Sequence, residues 1–313
     1  MASEPRPDPS ASAVTIWFAA TRPAFLSVTL AGCLIGLAAA HADGVAIDAW
    51  RAVVTVLFAL LAHAGANVLN DYHDALSGAD AGNTQRIFPF TGGSRFIQNG
   101  VLTTHQTAVF AHALLGLVIP AGLWLAAGAG SGLVAIGLAG LVLGWGYSAP
   151  PLKLASRGLG ELAIAACWLL VVIGSDFVHR GGFAWTPFAA GLSFALLVAN
   201  LLYINQFPDR AADAAAGKRT LVVRLGVDSA KWGYFAIAIV AYGWLVLQVG
   251  RYNLPQACAA AALTLVLSFH AARLLREHAD EPAALAPAIK LTIAATNLHG
   301  LVLAATLAFG ARG

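Results

Sequence analysis

Charge is what this chain has least of. Of its 313 residues, 11% are Asp, Glu, Lys or Arg, where an ordinary soluble chain carries about 25%. With 59% hydrophobic residues beside so few charges, a water-soluble globular domain is excluded. Cysteine is scarce too. Cys33, Cys167 and Cys258 lie in apolar runs without paired spacing, which excludes a disulfide framework or a thiolate metal site and leaves small buried hydrophobes. The net charge is only +3, and no nucleic-acid partner is expected.

What the chain has instead is repeated apolar runs long enough to cross a bilayer, the mark of a polytopic all-α membrane protein embedded in lipid. Nine spans are predicted, near 15–40, 48–74, 103–127, 131–148, 158–178, 186–207, 229–249, 254–276 and 285–309. Residues 1–12, rich in Pro, Ser and Ala, read as a disordered cytoplasmic tail, and 13–313 as a single transmembrane domain. Arg22 followed by Pro23–Ala40 and Ala40-His41-Ala42 mimics a secretory signal. The run is longer than the roughly 7–15 apolar residues of such a signal, so an uncleaved first span is the better reading.

Orientation follows from lysine and arginine. With the N-terminus inside, Arg6, Arg22, Arg86, Arg95, Lys153, Arg157, Arg210, Lys218, Arg219, Arg224, Lys231, Arg273, Arg276 and Lys290 fall on the cytoplasmic side, and only Arg51, Arg180, Arg251 and Arg312 on the other. The chain is therefore expected in the cell (inner) membrane, N-terminus in the cytoplasm and C-terminus outside.

Against that apolar background two acidic clusters stand out. Asn67, Asp71 and Asp74 are spaced i, i+4, i+7 at the end of the second span, with Asn70 and Asp80 close by. Asn205, Asp209 and Asp213 are spaced i, i+4, i+8 at the end of the sixth. Each set shares one helix face. Both spans run inward, so both clusters are expected on the cytoplasmic face. Carboxylates so placed are costly to desolvate and repel one another unless a cation sits among them. All-oxygen ligand sets suit Mg²⁺, which bridges carboxylates to phosphates. Asn67, Asp71, Asp74, Asp80, Asn205, Asp209 and Asp213 are the candidate ligands. The following loops, about 28 and 16 residues long, lack an obvious helix and are long enough to be functional. They supply Arg86 and Arg95, then Lys218, Arg219 and Arg224. Mg²⁺ flanked by these cations would hold a diphosphate and stabilise it as a leaving group. A lipid-soluble diphosphate, head at the cytoplasmic boundary and hydrocarbon tail among the spans, satisfies both halves of the pattern.

Asn70-Asp71-x-x-Asp74-x5-Asp80 and Asn205-x3-Asp209-x3-Asp213 resemble the two aspartate-rich motifs of the UbiA superfamily of intramembrane prenyltransferases. The resemblance extends to Arg22-Pro23, to Tyr147-Ser148-Ala149-Pro150-Pro151-Leu152-Lys153 with Arg157-Gly158-Leu159-Gly160-Glu161, and to Gly217-Lys218-Arg219-Thr220 running on to Gly226. It implies a nine-helix bundle around a central cavity, Mg²⁺ between the motifs binding an isoprenoid diphosphate, and ionisation of that diphosphate to an allylic cation that an aromatic acceptor attacks. It also implies a part for Tyr147 in catalysis and for Lys153 at the diphosphate. The first motif looks most like the 1,4-dihydroxy-2-naphthoate branch of menaquinone synthesis, where prenyl replaces the acceptor's carboxylate. Phe88-Pro89-Phe90-Thr91-Gly92-Gly93-Ser94-Arg95 departs from that branch, which usually has a shorter Gly-Pro-Leu-Arg-type segment.

Plainer readings stand beside these. Tyr147 could belong to the interfacial aromatic belt, and the loop cations could simply obey the positive-inside rule. His63 and His73 could assist deprotonation of the acceptor or bond between helices, as could Asn200, Asn297 and His299. Asp176 and His179 read as locally bonded near the other membrane face. Pro208 either loosens the sixth span or marks its end near Phe207. Two alternatives remain to the naphthoate assignment: a superfamily relative with another acceptor, and a cation-coupled secondary transporter. The transporter is disfavoured because its sites usually lie near the midplane on broken helices.

Overall fold

The computed structural model describes residues 3–310; Met1 and Ala2 of the expected tail, and Arg312 of the outer cation set, lie outside the described residues. The chain folds into α-helices α1 (Ala13–Ala20), α2 (Leu26–Ala42), α3 (Ala49–Ser77), α4 (Ala79–Gly82), α5 (Thr104–Ala129), α6 (Ser131–Gly146), α7 (Gly160–Arg180), α8 (Trp185–Ala215), α9 (Leu221–Leu225), α10 (Val227–Gly250), α11 (Leu265–His278) and α12 (Ala286–Phe309), with no strand among the described residues. Eight stretches, counting the turns that lead into α2, α11 and α12, are long and apolar enough to span a membrane. The ninth expected span is α6, apolar but only 16 residues long.

Local chemistry sets the helix boundaries. Asp48 caps α3 by accepting from the backbone of Arg51, and Gly78 ends it in the left-handed conformation. Thr103 and Gln106 form a reciprocal capping box at the start of α5. The expected first span, 15–40, is broken. Pro23 disfavours helix at the residue before it, and Arg22 turns left-handed (φ 58°); the spanning segment starts at Pro23 and α1 stands apart. Pro208 does not end α8, which continues through it to Ala215. The loops expected to lack helix carry the short α4 and α9.

The core lies where α2, α7, α8 and α12 meet, around the fully buried Ile35, Val172, Phe194 and Leu303. Small residues permit this approach: a Cβ on Gly36 would lie 2.2 Å from the Val172 carbonyl oxygen. At one end of the bundle Arg180 pairs with Asp176 and Asp43, each at 2.7 Å, and Thr186 donates to Asp43 at 3.0 Å. The Asp48 amide donates to His179 at that end too. Since α3 and α8 both begin there, they run parallel, and their acidic ends emerge together at the opposite end. The buried polar groups of the C-terminal half tie helices to one another: His299 meets Ser193 at 2.9 Å, and Asn200 donates to the Tyr234 carbonyl at 3.0 Å. Asn297 donates within its own helix, to the Ile293 carbonyl. Residues 3–12 hold no helix, yet Glu4 among them is bound to Arg86 at 2.6 Å.

Candidate active site

The two acidic clusters meet. Asp74, Asp80, Asp209 and Asp213 line one narrow cavity of about 90 Å³, with Asn70, Tyr147, Asn205 and Lys218. Asp71 lies against its wall: a Cβ on Gly93 would sit 2.3 Å from Asp80 Oδ2 and 3.1 Å from Asp71 Oδ1. Only glycine, which also tolerates its φ of 73° there, lets the loop pass so close to both carboxylates.

Each carboxylate meets a donor. Lys218 Nζ stands between the clusters, 2.8 Å from Asp74 Oδ2 and 3.5 Å from Asp213 Oδ1. Asn70 donates to Asp74 at 3.0 Å and to the Ser148 hydroxyl at 2.9 Å. Asp209 accepts from the Asn83 amide at 2.5 Å and from the Gly92 N–H at 3.3 Å, and Asp71 from the Ser94 N–H at 3.2 Å. Arg95 donates to the Asp80 carbonyl and Gln98 to its carboxylate. Burial first, then the charges of Asp74 and Asp71, push the Asp80 carboxyl up to about 8. Burial opposes the charge on Lys218, but Asp74 and Asp213 outweigh it and hold its ammonium well above the ordinary lysine range. Among the described residues no three Asp, Glu, His or Cys side chains are grouped so as to hold a metal ion; Lys218 separates Asp74 from Asp213.

A second, larger cavity of about 350 Å³ shares Arg22, Asn70, Tyr147, Leu202 and Asn205 with the mouth and runs between α3, α6 and α7, past His63, Gly140 and Trp168, to Thr55 and Val178. Thr55 is sixteen residues before Asp71 on α3, which corresponds to about 24 Å of helix rise.

The remaining sequence candidates divide. Asn67 lines the large cavity while its amide donates to the Thr21 carbonyl at 3.1 Å. Asn205 lines both cavities, and its Oδ1 is buried without a hydrogen bond. Tyr147 lines both as well, placing it at the junction of the two cavities. Arg95 lies behind the Asp80 backbone. Arg86, expected at the diphosphate, bonds instead to Glu4 and the Asn83 carbonyl. Lys153 and Arg219 are exposed and line neither cavity. Lys153 follows the turn at Pro150-Pro151 in a left-handed conformation (φ 44°), and Arg219 uses its carbonyl to accept from Arg224.

Arg22, Asn83 and the Gly92–Ser94 backbone escape a residue-by-residue reading. Arg22 lines both cavities and donates to the Phe90 carbonyl at 3.1 Å, with Nε buried and unpaired. The signal for it was Arg22-Pro23 itself. Asn83 and the glycine turn carry no periodic signal. Gln206 bonds Glu161 and accepts from the Val222 N–H, anchoring α9 and the Lys218 loop against α7.

The model of the UbiA prenyltransferase family matches residues 25–296. The chain belongs to the UbiA prenyltransferase family. It is a multi-pass membrane prenyltransferase, which sets aside the transporter alternative. It is 28% identical over 228 residues to the 1,4-dihydroxy-2-naphthoate octaprenyltransferase of Mycobacterium tuberculosis, covering 72% of this chain and 75% of that protein. Over 266 residues it is 27% identical to the enzyme of the same name from Mycobacterium leprae, covering 83% and 85%. Among solved structures, the UbiA homolog of Archaeoglobus fulgidus bound to DMAPP and Mg²⁺ superposes with a TM-score of 0.64 at 15% identity, over 92% of this chain and 99% of that one. That likeness establishes the shared fold.

Proposed function

We propose that this prenyltransferase moves an isoprenyl chain from its diphosphate to an aromatic acceptor of the 1,4-dihydroxy-2-naphthoate kind, at the cytoplasmic face, with Mg²⁺ as cofactor. One observation carries the reading. Acidic ends of two parallel helices share a polar mouth that opens into a long apolar cavity, matching a charged head joined to a hydrocarbon tail. The naphthoate acceptor rests on the relatives that carry that name. Their agreement with the first aspartate motif supports it.

The oxygen donors of Asp71, Asp74, Asp80, Asp209 and Asp213, with Asn205 Oδ1 unpaired among them, are chemically suited to Mg²⁺. Asn67, on the adjoining wall, completes the proposed set. Bound Mg²⁺ would neutralise charge that develops on the departing diphosphate. This chain's own residues do the rest. Lys218 supplies a fixed positive charge at the mouth, and Arg22 a second where mouth and cavity join, so charge on the leaving group is met without reorganisation. The cavity keeps water from an allylic cation, and the Tyr147 ring face at the junction can stabilise it. Of the cations foreseen at the diphosphate, Lys218 has the strongest support; Arg95 is proposed to act by holding the Asp80 segment.

The test is product mass spectrometry on membranes given Mg²⁺, farnesyl diphosphate and a panel of aromatic acids. A prenylated naphthoate-derived product is expected. Asp71→Ala and Asp209→Ala are each expected to abolish it while the protein stays folded in membranes. Turnover retained in both variants would reject the assignment.

A further inference from the structure

His63 stands one helical turn deeper than Asn67 on α3 and lines the large cavity. Its Nδ1 meets the Thr29 hydroxyl of α2 at 2.8 Å, and its ring stands edge-to-face against Trp168 at 4.9 Å. The other ring nitrogen, Nε2, has no hydrogen-bond partner among the described residues and is not sealed from the cavity. The other polar side chains down that wall are spoken for. Thr55 donates to the Arg51 carbonyl and Ser175 to the Val171 carbonyl, both at 2.8 Å, and Trp168 Nε1 is shut away from the cavity. Below Asn67, Asn70 and Asn205, Nε2 of His63 is the one open side-chain nitrogen or oxygen among the described lining residues.

A hydrocarbon tail offers such an atom nothing, and leaving it unpaired in an apolar wall is costly. The geometry points to His63 as the base that receives the hydroxyl proton of the aromatic acceptor. This inference rests on the naphthoate reading above. His63 is eight residues before Asp71, about 12 Å along the helix, leaving room for an aromatic ring beneath the allylic carbon. With Nδ1–H donated to Thr29, Nε2 presents its lone pair to the hydroxyl beside the carboxylate-bearing ring carbon. As that carbon attacks, the allylic C–O bond breaks with its electron pair on the diphosphate and the new C–C bond forms. The O–H pair becomes a ring carbonyl, and the proton passes to Nε2. Loss of the carboxylate as CO₂ returns an electron pair to the ring, and the imidazolium gives its proton back to the same oxygen. No other reactant is needed.

Two variants test this. H63Q keeps a side chain able to bond Thr29 but removes the base; turnover with the naphthoic acid is expected to fall about 100-fold or more. Affinity for farnesyl diphosphate with Mg²⁺, by titration calorimetry, should stay within about twofold of wild type. T29V leaves the imidazole without its orienting partner, and is expected to cut turnover about tenfold with diphosphate affinity again unchanged. Turnover by H63Q close to that of wild type would overturn the proposal, leaving His63 as a tie between α2 and α3. So would loss of diphosphate affinity in step with turnover. If H63Q does not accumulate in membranes, T29V decides, and unchanged turnover overturns the idea. Failure of wild type to prenylate any aromatic acid would instead remove the proposed function itself.

Discussion

Lys218 holds together carboxylates that would otherwise repel across the mouth. Breaking a buried charge pair by removing one partner costs roughly 3–5 kcal/mol. Lys218→Ala is therefore expected to lower thermal stability in detergent without divalent cation. Added Mg²⁺ should raise its melting temperature by more than it raises that of wild type. Equal shifts in the two proteins would mean that Lys218 and the cation do not share these carboxylates. Asp80 allows a pH test. Its carboxyl is raised from 3.8 to about 8 in the folded chain, so the folded state binds the proton over a range in which the unfolded chain has released it. Stability is then lost as pH rises through that window, and the loss is complete above it. Asp80→Asn is expected to match wild type in heat resistance near pH 4 and to exceed it at pH 9. A variant less stable than wild type at pH 9 would contradict the sign.

At the scale of elements, α6 forms one wall of the large cavity through Gly137, Gly140 and Gly144. A Cβ on Gly137 or Gly140 would meet nothing within 4 Å, so α6 stands off and leaves space. Gly140→Leu should fill that space with little strain. It is expected to lower turnover of long prenyl diphosphates relative to dimethylallyl diphosphate by about tenfold, read from competing substrates by mass spectrometry. No change in that ratio would mean the tail does not pass α6. Helix positions themselves follow hydropathy closely. The break at Arg22-Pro23 departs from the expected first span, and at Pro208, where both outcomes were open, the helix runs on to Ala215; each outcome turns on a proline whose effect depends on neighbours that a sequence pattern does not include.

For the whole molecule, the parallel course of α3 and α8 brings both acidic ends to one end of the bundle, with the Arg180–Asp176–Asp43 network at the other. Assigning the acidic end to the cytoplasm remains the proposal drawn from lysine and arginine placement. In inside-out vesicles, single cysteines introduced at exposed Gly217 and Gly82 should react with a membrane-impermeant maleimide, whereas one at exposed Tyr252 should not. The reverse pattern would invert the topology.

Composition and apolar run length were enough to establish an all-helical membrane chain, because continuous apolar runs of about 20 residues fit a helix that satisfies its own backbone hydrogen bonds in lipid, whereas barrel strands are about half as long. Helical spacing was enough to align Asp71 with Asp74 and Asp209 with Asp213. Which cation meets those carboxylates was settled only by tertiary structure. Lys218 enters, Arg86 turns to Glu4, and Lys153 and Arg219 remain outside. Loop paths depend on local left-handed bends and on partners distant in the chain, and neither leaves a period for the sequence to display.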